Sequence, residues 1–253
     1  MKFFFRYLLP ITYFQATRLN RLELVAYNAL IEWIPAIAVS LYLNNWAIGI
    51  LVPVLISYIA FISIYEIGYI TNDQLSEKFE DDPRGRANGT ASSAAVGALI
   101  IARLTVFILC TWTLAAWANT VWWVFHATLA LSFLLHNLLP REYRIATFFS
   151  LSTYRFFAPI ILTVDTSVLV LLLPPILLNN SVYRLSVYLD SKNLTGRQSM
   201  RSKFAFYLAC LPLGLLFSLI YSSLIPVAIT LYFLTVWLGY FSFTKLTGRD
   251  LRG

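Results

Sequence analysis

Between Tyr65 and Arg86 the sequence reads YEIGYITNDQLSEKFEDDPRGR, an acidic break in an otherwise apolar chain. On a helix turning 100° per residue, Glu66, Tyr69, Asp73, Glu77 and Glu80 fall within an arc of roughly 80°. Carboxylates stacked three and four residues apart repel one another. A helix bears them best when a cation sits among them. Hard divalent ions take oxygen ligands, and Mg²⁺ commonly uses one or two carboxylates together with substrate phosphates. Pro83 is expected to end the helix. Arg84 and Arg86 follow at once, in reach of a phosphate. The stripe therefore points to a metal–pyrophosphate site with Asp73, Glu77 and Glu80 as ligands. The bland alternative is a solvated, charged loop.

Other ionisable groups sit where a membrane would make them costly, so each needs a reason. Glu32 lies one turn after Asn28 and about 15 Å into the first apolar run at 1.5 Å per residue. Arg103 and Arg155 lie at comparable or greater depth in later runs. Glu32, Glu66, Arg103 and Arg155 would be satisfied by lining one cavity and pairing across it, or by pairing between helices with no chemistry. The stretch NNSVYRLSVYLDSKNLTGR adds Asn180, Tyr183, Arg184, Asp190 and Lys192, and Asn180 to Arg184 is one helical turn. A third stretch, HNLLPREYRIATFFSLSTYRFFAP, carries His136, Arg141, Tyr143, Arg144, Tyr154 and Arg155. His126 has no second histidine near it in sequence and reads as a packing residue, and His136 as an interfacial one.

Elements able to hold these groups follow from composition. Of 253 residues 59% are hydrophobic and 12% charged. That charged share is about half the usual one for a soluble domain. A bilayer accepts helices that are apolar all round; a soluble core of this size does not. The chain reads as one integral membrane domain over residues 1–253, an all-α polytopic bundle of about eight helices, or nine. The expected spans are Leu22–Tyr42, Trp46–Asn72, Ser92–Ala118, Thr120–Leu138, Tyr143–Thr163, Ser167–Tyr188, Lys203–Tyr221 and Ile225–Phe243. Residues 1–21 are broken by Arg6 and Pro10 and read as an interfacial amphipathic segment, not a signal peptide.

The short turns at Asn44–Asn45, Asn119–Thr120, Val164–Thr166 and Ser222–Leu224 contain no Lys or Arg. Nearly all positive charge lies at the other end, which the positive-inside rule makes cytoplasmic together with both termini. The formal charge of +7 is then largely topological, with some capacity for anionic lipid heads. No basic face on a soluble element suggests nucleic acid. Cys110 and Cys210 both fall inside apolar runs, with no metal-ligand spacing and no disulfide framework.

The three polar clusters together resemble the UbiA-like superfamily of intramembrane prenyltransferases. In that family an aspartate-rich motif follows the second helix, basic and tyrosine-containing residues follow the fourth, and a second acidic motif follows the sixth. Within it the chain is most similar to the branch that moves phosphoribose from phosphoribosyl pyrophosphate onto a polyprenyl phosphate. That likeness is carried by Asn72–Asp73 with Glu80, by Pro83 and Arg86, and by YRFFAP at Tyr154–Pro159. Ser76 stands where the family has an aspartate, and Asp190 is the only carboxylate of the second motif. The resemblance implies Mg²⁺ held by Asp73 and Glu80, with Asp73, Glu80 and Asp190 as catalytic residues. It implies substrate contacts from Tyr69, Asn72, Arg84, Arg86, Arg144, Arg155, Asn180, Arg184 and Lys192. The partners would be a polyprenyl lipid and a pyrophosphate donor, in a bacterial inner membrane, serving cell-envelope polysaccharide synthesis.

Two other classes compete. One is prenyl transfer from a prenyl pyrophosphate to a small aromatic acceptor, which intact aspartate motifs would favour. The other is a non-catalytic transporter or assembly component with a degenerate site. A transporter would be expected to show helices broken by Gly or Pro meeting at mid-depth. Pro174–Pro175, Pro212 and Pro226 are the relevant residues.

Overall fold

The chain was described as a computed structural model covering residues 2–79, 92–140, 144–191 and 200–247. Every regular element among the described residues is helical. Two short helices, α1 (Lys2–Arg6) and α2 (Thr12–Arg18), precede the bundle. The first span is α3 (Leu22–Asn28), a π-helical segment (Ala29–Trp33) and α4 (Ile34–Leu43). Then come α5 (Leu51–Phe79), α6 (Ser93–Thr113), α7 (Thr120–Leu138) and α8 (Arg144–Phe157). The next span is α9 (Thr166–Ile176), a second π-helical segment (Leu177–Val182) and α10 (Tyr183–Ser191). Helices α11 (Met200–Ile220) and α12 (Ile225–Thr247) close the bundle.

Six helices among the described residues are long and apolar enough to cross a membrane, and the protein is an integral membrane protein on that ground. They are 22–43, 48–75, 93–113, 120–138, 166–186 and 225–242. Eight such spans were expected. The other two form shorter helices: α8 has 14 residues, about 21 Å of rise, and the apolar part of α11 covers Phe206–Ile220. The run from Tyr143 to Thr163 is not one helix. Proline disfavours helical backbone in the residue before it, and α8 ends just ahead of Ala158–Pro159. Residues 158–163 continue as turns with Ala158, Ile160 and Ile161 buried, which suits irregular backbone at membrane depth. Thr163 closes that passage: its hydroxyl lies 2.8 Å from Ser40 Oγ and its carbonyl accepts from Asn44 Nδ2 at 2.9 Å.

The short turns without Lys or Arg fall near the expected positions, with α6 ending at Thr113 instead of Ala118 and α5 starting at Leu51 instead of Trp46. Asn45, Trp46, Ala115 and Ser222 adopt positive φ of 52°, 59°, 49° and 50° there. Asn119 caps α7, its Oδ1 accepting from Trp122 N at 3.0 Å.

Helix α5 packs on α6 and α7, α7 on α8, and α12 on α11 and α9. Lipid tails give no hydrophobic reason for helices to associate, so close approach at small residues matters. Gly68 on α5 is such a point: a Cβ there would lie 2.2 Å from the Phe133 ring of α7. Lipid-facing positions are large and apolar, among them Ile101, Leu104, Ile108 and Trp112 on α6.

Both π-helical segments lie next to prolines, which lack the N–H that keeps an α ladder in register. Pro35 follows the first segment, and Pro174 and Pro175 precede the second. Side chains take up carbonyls that the irregular ladder exposes. Asn179 Nδ2 donates to Pro175 O at 2.8 Å, and Tyr232 Oη donates to Leu30 O at 2.7 Å.

Candidate functional site

Among the described residues, the end of the bundle bearing the N-terminus holds three ionic groups. The most enclosed is Glu66 on α5 with Arg103 on α6, Nε to Oε2 2.6 Å, both side chains fully buried. Arg103 also donates to the carbonyls of Tyr7 (2.5 Å), Leu8 (2.6 Å) and Leu9 (2.9 Å). The other oxygen of Glu66 accepts from Phe14 N at 2.7 Å. One carboxylate and one guanidinium thus fasten the start of the chain into the bundle. The segment read as interfacial is pinned to the bundle, with Tyr7, Tyr13, Phe14 and Leu19 buried. Ile11 takes a φ of 76° between the two anchor points, a strained conformation for a β-branched residue.

The second group is Asp73, two turns further along α5 and 7% exposed. Its Oδ1 pairs with Arg18 Nη2 at 2.9 Å, and its Oδ2 accepts from Tyr13 Oη at 2.8 Å. Burial, and then the adjacent carboxylate, push the Tyr13 hydroxyl above the usual phenol range, so it stays a donor. Arg18 lies over the Tyr69 ring, 4.3 Å from its centroid.

The third group joins five elements. Glu32, in the first π-helical segment, is fully buried and contacts Arg155 of α8 (Nε to Oε1 3.1 Å) and Arg184 of α10. Asn28 Oδ1 accepts from Arg155 Nη2 at 2.5 Å and from Arg184 Nη2 at 3.3 Å. Asn180, in the second π-helical segment, accepts from Arg184 Nε at 3.0 Å through Oδ1. One carboxylate faces two guanidiniums, so the cluster carries one excess positive charge.

Aromatic rings join these groups into one seam. Arg155 lies over Phe14 (5.1 Å) and Tyr65 (5.7 Å). Phe14 stacks on Tyr69 with centroids 5.8 Å apart, and Tyr69 Oη donates to Tyr65 Oη at 3.3 Å.

The single cavity expected for Glu32, Glu66, Arg103 and Arg155 is therefore divided. Glu66 and Arg103 form a closed pair with no exposed surface, because backbone groups of residues 7–14 consume their remaining bonding capacity. Glu32 and Arg155 belong to the separate, partly open cluster, to which Asn180 and Arg184 also contribute. Asn72 is half-buried on α5 beside Asp73. Arg144, at the start of α8, donates through Nε to Leu139 O at 3.1 Å and stands apart from the seam. Glu77 and Asp190 lie on α5 and α10, but their side chains are outside the described set; Glu80, Arg84, Arg86 and Lys192 lie outside the described residues altogether.

Among the described residues no three His, Cys, Asp or Glu are placed to share a metal ion. Asp73 alone does not fit Mg²⁺ in this arrangement, since Arg18 and Tyr13 hold both its oxygens. No step is derived through a metal. The sequence reading missed Arg18, Tyr13, Phe14 and Tyr65 as parts of the site. Arg18 belongs to the basic end that the positive-inside rule alone accounts for, though Phe14 and Arg18 stand one helical turn apart. His126 is buried against Trp122, with Nδ1 2.9 Å from Trp122 O, in keeping with a packing role. In comparison with known proteins, no family model, no curated protein and no solved structure matches the chain.

Proposed function

We propose that the chain is an intramembrane transferase of UbiA-like type. It would join a pyrophosphate-bearing donor to a polyprenyl phosphate at the charged end of the bundle. Phosphoribosyl pyrophosphate is the favoured donor, and the setting is a bacterial inner membrane with both termini cytoplasmic. The observation that carries this reading is the polar seam. Carboxylates of the first two spans and arginines of four further elements meet within the membrane-embedded part of one end, through Phe14, Tyr65 and Tyr69. Structural charge pairs alone need no such convergence. A reaction between two phosphate-bearing substrates needs cationic groups near a lipid-accessible bundle. Mg²⁺ is the cofactor this reading implies, with Glu77 and Glu80 as its ligands; Asp73 would join them only on giving up Arg18 or Tyr13.

The test is transfer of radiolabel from phosphoribosyl pyrophosphate to a short polyprenyl phosphate by the purified chain in nanodiscs, with and without Mg²⁺. Label should appear in the lipid only with Mg²⁺, and Asp73→Asn should reduce it at least tenfold. Unchanged turnover in that variant removes Asp73 from the reaction. No transfer from either phosphoribosyl or prenyl pyrophosphate removes the enzyme reading. A carrier for a phosphate-bearing lipid is then next in line. It is favoured by one specific observation: two spans are interrupted by π-helical segments where Glu32 and Asn180 meet the buried arginines.

A further inference from the structure

Buried charge in a bilayer is tolerated when it is balanced. Two of the three ionic groups are balanced one to one: Arg103 with Glu66, and Arg18 with Asp73. The third is not. Among the described residues Glu32 is the single carboxylate for Arg155 and Arg184, and Asn28 and Asn180 contribute no charge. The unused donors are specific. Arg155 spends Nε and Nη2, and Arg184 spends Nε and Nη2. Nη1 of each has no acceptor among the described residues, and each side chain keeps 11% of its surface accessible. Asn180 adds an independent sign. Its Oδ1 is fixed by Arg184 Nε, which orients the amide, and its Nδ2 is fully buried with no acceptor. A buried donor left unmade costs about 1–3 kcal/mol, so an acceptor is missing. The cluster also lies where two π-helical segments meet, a feature frequent at functional sites.

We infer that Arg155, Arg184 and Asn180 form a binding site for a phosphate-type oxyanion that needs no divalent metal. The Nη1 groups of two arginines and one amide suit the oxygens of a phosphate group. Glu32 Oε1 bridges the two arginines and sets the net charge at one positive unit. The site is separate from the acidic stripe of α5, so the inference stands whether or not the chain transfers anything. The phosphate could be free or could be the head of a membrane lipid, and the two sources are separable.

The experiment uses the full chain in detergent, free of phosphate and with a chelator present, and reads thermal stability against ligand concentration. The probes are inorganic phosphate, dodecyl phosphate and dodecanol. Stabilisation by both phosphates and not by dodecanol supports a site for the phosphate group itself. Stabilisation by dodecyl phosphate alone supports a lipid headgroup site. Asn180→Asp keeps the acceptor for Arg184 but cancels the excess charge, and should weaken binding by at least about tenfold. Glu32→Gln should lower the stability of the unliganded protein yet tighten phosphate binding. No stabilisation by either phosphate overturns the inference. So does stabilisation that both variants leave unchanged.

Discussion

Glu66–Arg103 and Glu32–Arg155–Arg184 are both buried ionic groups at the same end of one bundle, and they are built for different tasks. In the first, charge is balanced, exposure is nil, and the bonding capacity left over goes to backbone groups of residues 7–14. In the second, charge is unbalanced, donors are left over, and the supporting helices are irregular. Closed satisfaction marks an anchor. Open satisfaction on an irregular backbone marks a place prepared for something else.

The sharpest way to break this distinction is to remove the arginine of the anchor. Arg103→Met strands the Glu66 charge, three carbonyls and the contact that holds the N-terminal segment. Removing one partner of a buried pair costs about 3–5 kcal/mol, a large fraction of the total stability of a typical domain. We expect loss of most folded protein in thermal unfolding, and trypsin cleavage at Arg6 or Arg18 in what remains. Adding Glu66→Gln should recover part of the loss. A mild phenotype for Arg103→Met would mean that the pair does not anchor the segment.

Much of the fold was legible because hydropathy and turn chemistry are local. The apolar runs and the turns without Lys or Arg at Asn44, Asn119, Asp165 and Ser222 could be read directly. The shortening of the fifth span was not, since apolar residues continue through Val164 and only Pro159 hints that the helix stops. The site was legible in part. Depth alone flagged Glu32, Glu66, Arg103 and Arg155 as unusual, but not who pairs with whom. Those pairings join residues 37 apart for Glu66 and 123 apart for Glu32, and they depend on how helices pack. The docking of the N-terminal segment was not legible for the same reason: two groups on α5 and α6 claim its backbone.

The two regions share a mechanical link at Gly68. The Phe133 ring fills the space of the missing Cβ and also meets Tyr65 and Tyr69, with centroids 4.7 and 5.7 Å away. Those tyrosines lie under Arg155 and Arg18. Gly68→Ala should cost about 1–3 kcal/mol by overpacking, and should disturb phosphate-induced stabilisation as well as basal stability. An effect on basal stability alone would uncouple the regions.

Arg184→Met is the counterpart of Arg103→Met and should behave differently. It leaves Glu32 paired with Arg155 and makes the cluster neutral. No charge is stranded, and relief of the excess positive charge offsets part of the lost hydrogen bonds to Asn28 and Asn180. Thermal unfolding should therefore show a loss well below that of Arg103→Met, while phosphate protection disappears. Equal losses in the two variants would erase the difference between anchor and open cluster.

The smallest expected effect tests whether the irregular backbone matters in its own right. Tyr232 of α12 donates to Leu30 O, a carbonyl inside the π-helical segment that carries Glu32. Tyr232→Phe removes one hydroxyl and no charge, at a site with room for the ring to stay. The basal loss should be about 0.5–1 kcal/mol, the ordinary net worth of one hydrogen bond. If that bond helps hold the segment in its π register, its loss lets Glu32 rotate away from Arg155 and Arg184. Phosphate protection would then fall by more than the basal loss accounts for. Protection that persists at the wild-type level would show that Pro35 and packing fix the register, and that the hydroxyl only satisfies a carbonyl.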